Sequence, residues 1–448
     1  MSKETTIYYG DKLIASFNAG QTATLTTGGD KLKHDIVVKA GGDVPEPDYG
    51  DWQPIGDGNT HLWVNLDEYR KSPTLGVCVN GTVSVDWGDG TAPSILTGTT
   101  AEYVDSNSVK WASHNYAAGG DYIITLIVDG ELGFWGETGN YYSFLLRASK
   151  SNHNGNSHYI SRIINVEFGN GISNLAGYVL GGCRSLRNVV IPETITKIGI
   201  GSFYHCASLK SIHLPNSLTE IGKYAFQYCS SLEEINIPDK VVNVGQSAFS
   251  DCRRLRKVKL PDELVNIESY TFSGCSCLEE INIPKKLTTI GDKAFSSCVF
   301  LKSIHLPDGV TEIGTNAFYQ CNLLEEINIP DGITSIKDYT FYMCYQLRNI
   351  IIPKTVTTIG NYAFLYCYPV TNIKFPKSVI SIGSSAFMGL SGCILYDFTE
   401  HEVVPTLASS SIFEYMSPDC KIRVPAALVD EWKAATNWST YASKIVGV

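Results

Sequence analysis

The sequence predicts a mainly β protein: a solenoid of about ten 23-residue coils, preceded by an all-β domain and a small N-terminal β module. Three observations carry that prediction. First, three columns recur without a slip between residues 160 and 390. Proline stands at 192, 215, 238, 261, 284, 307, 330, 353 and 376, phenylalanine at 203, 226, 249, 272, 295, 318, 341, 364 and 387, and cysteine at 183, 206, 229, 252, 275, 298, 321, 344 and 367. A fixed period of this length marks units that cannot bury their apolar side alone and must stack. Second, the stretch from 51 to about 130 alternates apolar and polar residues between Gly/Asp turn signals. Third, 40 Gly and 25 Tyr against only 4 Met suit a turn-rich β chain.

Composition narrows the function classes. A chain of 448 residues exceeds what one core usually serves, so several units are expected. A net charge of −10 and a pI near 5.4 argue against nucleic acid or an anionic membrane as partner, because both select a basic face. No run of 18 apolar residues is present, so no transmembrane helix or membrane insertion is expected. The opening MSKETTIYYGDKLIASF lacks the basic and apolar regions of a secretory signal peptide. The nine ladder cysteines would stack one per coil about 4.8 Å apart with parallel side chains. A disulfide needs converging vectors, so these read as buried, reduced, small apolar residues. Cys78, Cys277, Cys393 and Cys420 are too scattered for a zinc site, and no cofactor is expected.

Residues 1–41 carry four short alternating segments, TTIYYG, KLIASF, QTATLTT and HDIVVKA, and read as a compact β anchor. This stretch resembles short N-terminal modules of structural proteins from phages that infect gut bacteria. Residues 42–50 form a linker with Gly, two Pro and several acids. In residues 51–159, VSVDWGDG ends a strand in a tight turn, and DYIITLIVDG places Tyr122, Ile124, Leu126 and Val128 on one face. Trp87, Gly88, Asp89, Gly90, His114, Tyr116, Gly120, Tyr122, Ile124 and Leu126 together resemble the signature of the PKD domain. That resemblance implies an immunoglobulin-like β-sandwich acting as a spacer or adhesive module. Asp86 and Asp89 could be pictured as calcium ligands, but turn capping by Asp89 is the simpler reading. The segment to residue 159 bridges to the solenoid, with His153 and His158 on a solvated loop.

Each 23-residue unit in 160–390 opens with L-x-x-I-x-L/I-P, where Ile212 and Leu214 oppose Ser211 and His213, and proline closes the strand. A second short apolar segment follows, with Leu218 and Ile221 inward, and then a tight turn inserts Phe226 and Cys229. The phrase I-P-x-x-[VLI]-T-x-I-G-x-x-A-F-x-x-C-x-x-L resembles the BspA-like leucine-rich repeat family, and the resemblance covers residues 160–448. Glu268 and Lys337 depart from its turn glycine, Leu390 from its last cysteine, and the first coil lacks Phe and Pro as a capping repeat should. Residues 391–448 read as the C-terminal cap. Pro425 starts a helix with Asp430 and Glu431 in its early turns and Leu428 and Trp432 on one side, followed by a closing strand.

No nucleophile elbow, zinc-protease motif or phosphate loop is present, so no enzyme is expected. Two surfaces compete for a ligand. One is the outward strand face, with pairs such as Glu234/Asn236, Lys257/Lys259 and Glu280/Asn282, polar and mixed in charge. The other flanks the Cys ladder: Tyr204, His205, Tyr228, Arg253, Arg254, Phe300, Tyr319, Tyr342, Tyr345, Tyr366 and Tyr368. Tyr with Ser and Asn is the composition of antibody loops, and aromatic rings also stack on sugars. The competing reading is that these tyrosines only shield the Phe/Cys column. The sequence assigns the contact to the tyrosine-rich edge. With no signal peptide and a phage-like N-terminus, the expectation is a virion-associated fibre or host-attachment protein that binds a host surface protein or glycan. Its N-terminal module would join other virion or surface proteins, and a homo-oligomer would suit it. The alternatives are a bacterial cell-surface adhesin and a purely structural scaffold.

Overall fold

The computed structural model describes residues 4–9, 12–18, 52–66, 71–101, 108–133, 136–137, 142–143, 146–147 and 162–448. Strands β1 (Glu4–Tyr9) and β2 (Lys12–Asn18) form an antiparallel hairpin with a bulge between Ile7 and Tyr8. They coincide with the first two expected segments. The segments QTATLTT and HDIVVKA, the linker 42–50, and His153 and His158 lie outside the described residues.

The next strands are β3 (Thr60–Leu66), β4 (Thr74–Asp86), β5 (Ser94–Thr100), β6 (Val109–Ser113) and β7 (Gly120–Gly133). The long β4 has β5 and β6 in succession along one edge and pairs with β7 on the other. In β7, Ile124 and Leu126 are fully buried while Ile127 is exposed, so the alternation read from the sequence is the alternation of the sheet. The short strands β8 (Gly136–Glu137) and β9 (Tyr142–Ser143) pair with each other, and β10 (Leu146–Arg147) pairs with the start of β4.

The expected boundary at residue 160 is not a break in the fold. Strand β11 (Ile163–Glu167) opens the solenoid yet pairs antiparallel with β3, and β13 (Asn188–Val190) of the next coil pairs parallel with β11. Strand β12 (Asn174–Leu175) begins a second strip of parallel pairs within the solenoid. Among the described residues of the 51–159 region, strands β3 to β7 and β10 therefore share one sheet with the first coils, and only β8 and β9 pair apart from it. Glu167 strengthens the junction: its carboxylate accepts the N–H groups of Ile55 and Gly56, both at 2.7 Å. Burial raises its pKa, although those two hydrogen bonds favour the ionised form.

Through the solenoid, two strips of two- and three-residue strands stack in parallel with a register of 23, as in Glu234↔Lys257↔Glu280 and Glu220↔Asn243. Between the strips runs a turn whose backbone N–H groups alternate. Tyr224, Phe226 and Tyr228 donate to Gln246, Ala248 and Ser250 of the next coil, whereas Ala225, Gln227 and Cys229 close local turns. This geometry requires two left-handed residues per coil. One column includes Tyr224, Tyr270, Tyr339 and Tyr362, the other His205, Tyr228, Gln320 and Tyr366, all with φ between 57° and 66°. For residues with a Cβ such angles cost about 1–2 kcal/mol each, which the repeated cross-coil bonds and the packing of the turn must offset.

Inside that turn the Phe column is one parallel stack from Phe203 to Phe387, with successive centroids 5.0–5.6 Å apart. The ladder cysteines are free and buried, as expected, but they are more than small apolar residues. Each thiol from Cys229 to Cys367 donates to the carbonyl of the Phe one coil back and three residues further, for example Cys252 Sγ to Phe226 O at 3.1 Å. The cap is a 3-10 turn (Ala426–Leu428), helix α1 (Val429–Ala434), a second 3-10 turn (Ser439–Lys444) and a last strand (Ile445–Gly447) parallel to Lys421–Val424. Trp432 and Trp438 are fully buried at 4.6 Å from each other and seal the apolar end.

Candidate ligand-binding surfaces

The tyrosines beside the Cys ladder fall into two groups rather than one continuous edge. In the early coils Tyr204 packs edge-on to Tyr178 and Tyr228, with His205 5.6 Å from Tyr228. Burial and the nearby Arg184 lower the pKa of His205, which keeps the imidazole neutral near pH 7. In the late coils Tyr319 stacks on Tyr342 at 4.8 Å and Tyr345 on Tyr368 at 5.6 Å, while Tyr366 lies 6.5 Å from Tyr342 and 5.8 Å from Tyr368. Sequence reasoning missed two members. Tyr339 and Tyr362 stack at 4.8 Å and join the late group through Tyr342. Both belong to the left-handed column two residues before the ladder Phe, where Tyr224 and Tyr270 of earlier coils also stand, and that recurrence was the available signal.

Arg253, Arg254 and Phe300 do not belong to either group. Arg253 is exposed and turned to Asp251 at 3.2 Å, Arg254 is exposed, and Phe300 is 45% exposed in the intervening coils. In the late group every tyrosine is half-buried except Tyr368, which is 42% exposed. Burial first, and neighbouring tyrosines second, raise the pKa values of Tyr339, Tyr342 and Tyr368, so their hydroxyls stay protonated as donors. The Asp338 charge acts on Tyr339, and its carboxylate accepts from the Asn361 backbone and side-chain N–H groups at 2.7 and 3.2 Å. The result is a neutral patch of phenol and amide groups.

The strand face is a second surface. Glu234, Asn236, Lys257, Lys259, Glu280 and Asn282 line an open groove of about 630 Å³. Much of its polarity is already engaged. Lys257 pairs with Glu280 at 3.1 Å, and Asn282 both donates to Leu260 O and accepts from Leu260 N, extending the sheet with a side-chain amide. Asn328 does the same for Leu306. A further pocket of about 1020 Å³ lies near the cap, walled by Lys377, Ile380, Glu400, Glu402 and Val403, with Lys377 and Glu402 paired at 3.0 Å.

The WGDG turn and the H-x-Y motif converge on one cluster. His114 stacks on Trp87 at 5.1 Å and meets Asp89 Oδ2 at 2.7 Å, and Tyr116 donates to Trp87 O at 2.8 Å. Asp89 accepts from the N–H and hydroxyl of Thr91, and Asp86 accepts from Gly88 N–H, so both carboxylates cap turns. Among the described residues no group of three or more His, Cys, Asp or Glu could hold a metal ion.

These features define a leucine-rich-repeat solenoid. The family described as BspA type Leucine rich repeat region matches residues 154–279 and 265–394, more than half of the chain, and the chain belongs to it. No curated protein matches. Solved structures with similarity include a leucine-rich repeat protein from Bacteroides ovatus ATCC 8483, at 26% identity over 64% of this chain and 84% of that one, TM-score 0.47. A leucine rich cell surface protein from Faecalibacterium prausnitzii A2-165 is 26% identical over 58% of this chain and 78% of that one, TM-score 0.42. The leucine rich repeat protein of T. pallidum is 26% identical over 46% and 83%, TM-score 0.30. None of these matches ties the chain to a phage particle. No described helix is long and apolar enough to cross a membrane.

Proposed function

We propose that this protein is a bacterial-surface adhesion protein whose late coils bind a protein partner through the patch built on Tyr319, Tyr339, Tyr342, Tyr345, Tyr362, Tyr366 and Tyr368. The observation that carries the reading is the contact network of those seven rings over three coils, held by stacking and by left-handed backbone. A rigid array of half-buried tyrosines offers large contact area at small entropic cost. Stacking between coils occupies a face of six of the rings, which favours contact through edges and hydroxyls over the face-on stacking a glycan uses. The strand-face groove is the weaker candidate because Lys257, Glu280 and Asn282 in its lining are already engaged within the sheet.

The test compares the full chain with two double variants against a panel of immobilised host surface proteins and neutral glycans. Tyr319→Ala with Tyr342→Ala should lower affinity for a bound protein at least tenfold, the loss expected when interface hot spots are truncated. Lys257→Ala with Lys259→Ala should leave it unchanged. Binding lost only in the lysine variant would move the site to the strand face. A chain that bound only the glycans would overturn the protein-partner reading.

A further inference from the structure

One column of the repeat changes identity at its end. The residue three places after the ladder cysteine is leucine in eight consecutive coils, from Leu186 to Leu347, and valine at Val370. In the last two coils before the cap it is cysteine. Cys393 and Cys420 occupy that position in the same turn geometry, their N–H groups donating to Leu390 O and Ser417 O as Leu209 donates to Cys206 O. The two coils are hydrogen-bonded neighbours: Lys421 N–H donates to Ile394 O, and the strands that follow pair in parallel from Leu395↔Lys421. Both side chains are fully buried and hold the same column position in these two neighbouring coils.

The ladder thiols differ in one respect. Each ladder thiol from Cys206 to Cys367 is committed to a backbone carbonyl one coil back, at 3.1–3.4 Å. Cys393 and Cys420 have only the carbonyls of Leu395 and Lys421 in their own coils, at 3.5 and 3.8 Å. Leucine would fill the column better than cysteine, since a thiol in place of an isobutyl group gives up buried apolar volume. Two such losses, one above the other, gain a physical reason if the sulfurs are joined.

We propose that Cys393 and Cys420 are a disulfide site, a covalent staple between the last two coils that closes while the chain folds under oxidising conditions. With oxidised glutathione as oxidant the reaction balances as thiol–disulfide exchange. The Cys393 thiolate attacks one glutathione sulfur and expels a first glutathione thiolate. Cys420 then loses its proton and attacks the Cys393 sulfur of the mixed disulfide, and a second glutathione thiolate leaves. Closure belongs to folding because neither sulfur reaches solvent afterwards. It ties a loop of 27 residues beneath the Trp432/Trp438 cap, where the solenoid would otherwise fray.

The experiment refolds the full chain in a glutathione redox buffer, alkylates free thiols, and maps unreduced peptides by mass spectrometry. The expected result is one cross-link joining Cys393 to Cys420, two alkylated thiols fewer than the thirteen of the reduced chain. The oxidised protein should unfold at a temperature higher by a few degrees. Cys393→Leu, which restores the residue of the repeat, should abolish both the cross-link and the difference between oxidised and reduced samples. A folded protein with all thirteen thiols free, or with its cross-links among the ladder cysteines, would overturn the proposal. If Cys393→Leu failed to fold, the peptide map of the unaltered chain would still decide.

Discussion

In the sheet of residues 60–133, β4 and β7 pair over nine consecutive residues, from Cys78↔Gly133 to Asp86↔Thr125. In the solenoid, inner strands such as Glu220–Ile221 and Asn243–Val244 are two residues long. The sheet is held in register by uninterrupted backbone pairing and one apolar face. The solenoid draws little from its strands. Its order lies in columns of identical side chains and in turn N–H groups that reach the next coil. The sheet should therefore tolerate a local fault locally, whereas a fault in a solenoid column weakens the interfaces on both sides of its coil.

The largest effect that tests this contrast is Phe272→Ala. The ring is fully buried and stacked on Phe249 and Phe295, both at 5.6 Å, so its removal should cost about 3–5 kcal/mol. Hydrogen exchange should quicken in the coils on both sides and fade with distance, leaving β3 to β7 unaffected. Leu126→Ala, at about 2–5 kcal/mol, should quicken exchange in the sheet and the adjoining first coils alone. A uniform loss of protection along the whole solenoid in Phe272→Ala would show that its coils do not behave as coupled neighbours.

A smaller effect separates two readings of the ladder cysteines. If Cys252 is only a small apolar filler, Cys252→Val should be nearly neutral and Cys252→Ala should cost the lost volume. If the thiol's bond to Phe226 O matters, both variants should lose about 0.5–1.5 kcal/mol for the missing donor. Denaturant midpoints of the two variants decide the matter. A neutral Val variant would return the column to packing alone.

These two tests mark where sequence reading succeeded and where it stopped. The Phe, Cys and Pro columns were legible because identical residues at a fixed interval must stack, and burial of Phe226, Cys229, Leu218 and Ile221 follows from that. The thiol donors were not legible, because the acceptor is a backbone carbonyl whose direction depends on the turn. The left-handed columns escaped for a related reason: glycine, the residue that announces a positive φ, stands at few of their places, among them Gly201, Gly274 and Gly389. Of the eleven residues assigned to the tyrosine-rich edge, the structure groups eight in two clusters and leaves Arg253, Arg254 and Phe300 between them. One-dimensional spacing put them on one edge, but ring contact depends on which neighbouring coil also carries an aromatic. The junction at residue 160 was hidden because β3 and β11 lie about 100 residues apart and pair only in space.

A further contrast is in the response to pH. Burial opposes ionisation of Asp89, but hydrogen bonds from Thr91 and His114 outweigh it and hold its pKa below the usual aspartate range. A carboxyl lowered in the folded state contributes stability above its unfolded pKa, about 3.9. That contribution is lost as pH falls through the lower folded value. Acidification below about pH 4 should therefore loosen the Trp87/His114/Tyr116 cluster before the Phe/Cys column, which contains no carboxylate. Residue-resolved hydrogen exchange at pH 3 and pH 7 measures it, and Asp89→Asn should shrink the difference. Equal loosening of both regions would place the acid sensitivity elsewhere.

The smallest effect probes the solenoid's backbone. Ser297 and Gly274 hold the same place in neighbouring coils, the left-handed position just before the ladder cysteine, with φ of 61° and 76°. Both pass a cross-coil N–H onward, Gly274 to Ser296 O and Ser297 to Tyr319 O, so the hydrogen bonding is alike and only the Cβ differs. Ser297→Gly should relieve the left-handed cost and stabilise by about 0.5–1 kcal/mol after the greater chain entropy of glycine is set against it. Gly274→Ala should destabilise by about 1 kcal/mol, and a little more because the new Cβ would stand 3.0 Å from Asp251 Oδ1. Opposite signs at one column, read from thermal unfolding, would show that the stack imposes the turn conformation on its residues. Equal and negligible shifts would mean that the turn relaxes around whatever residue it is given, and that the coils, unlike the sheet, are not held to a single backbone path.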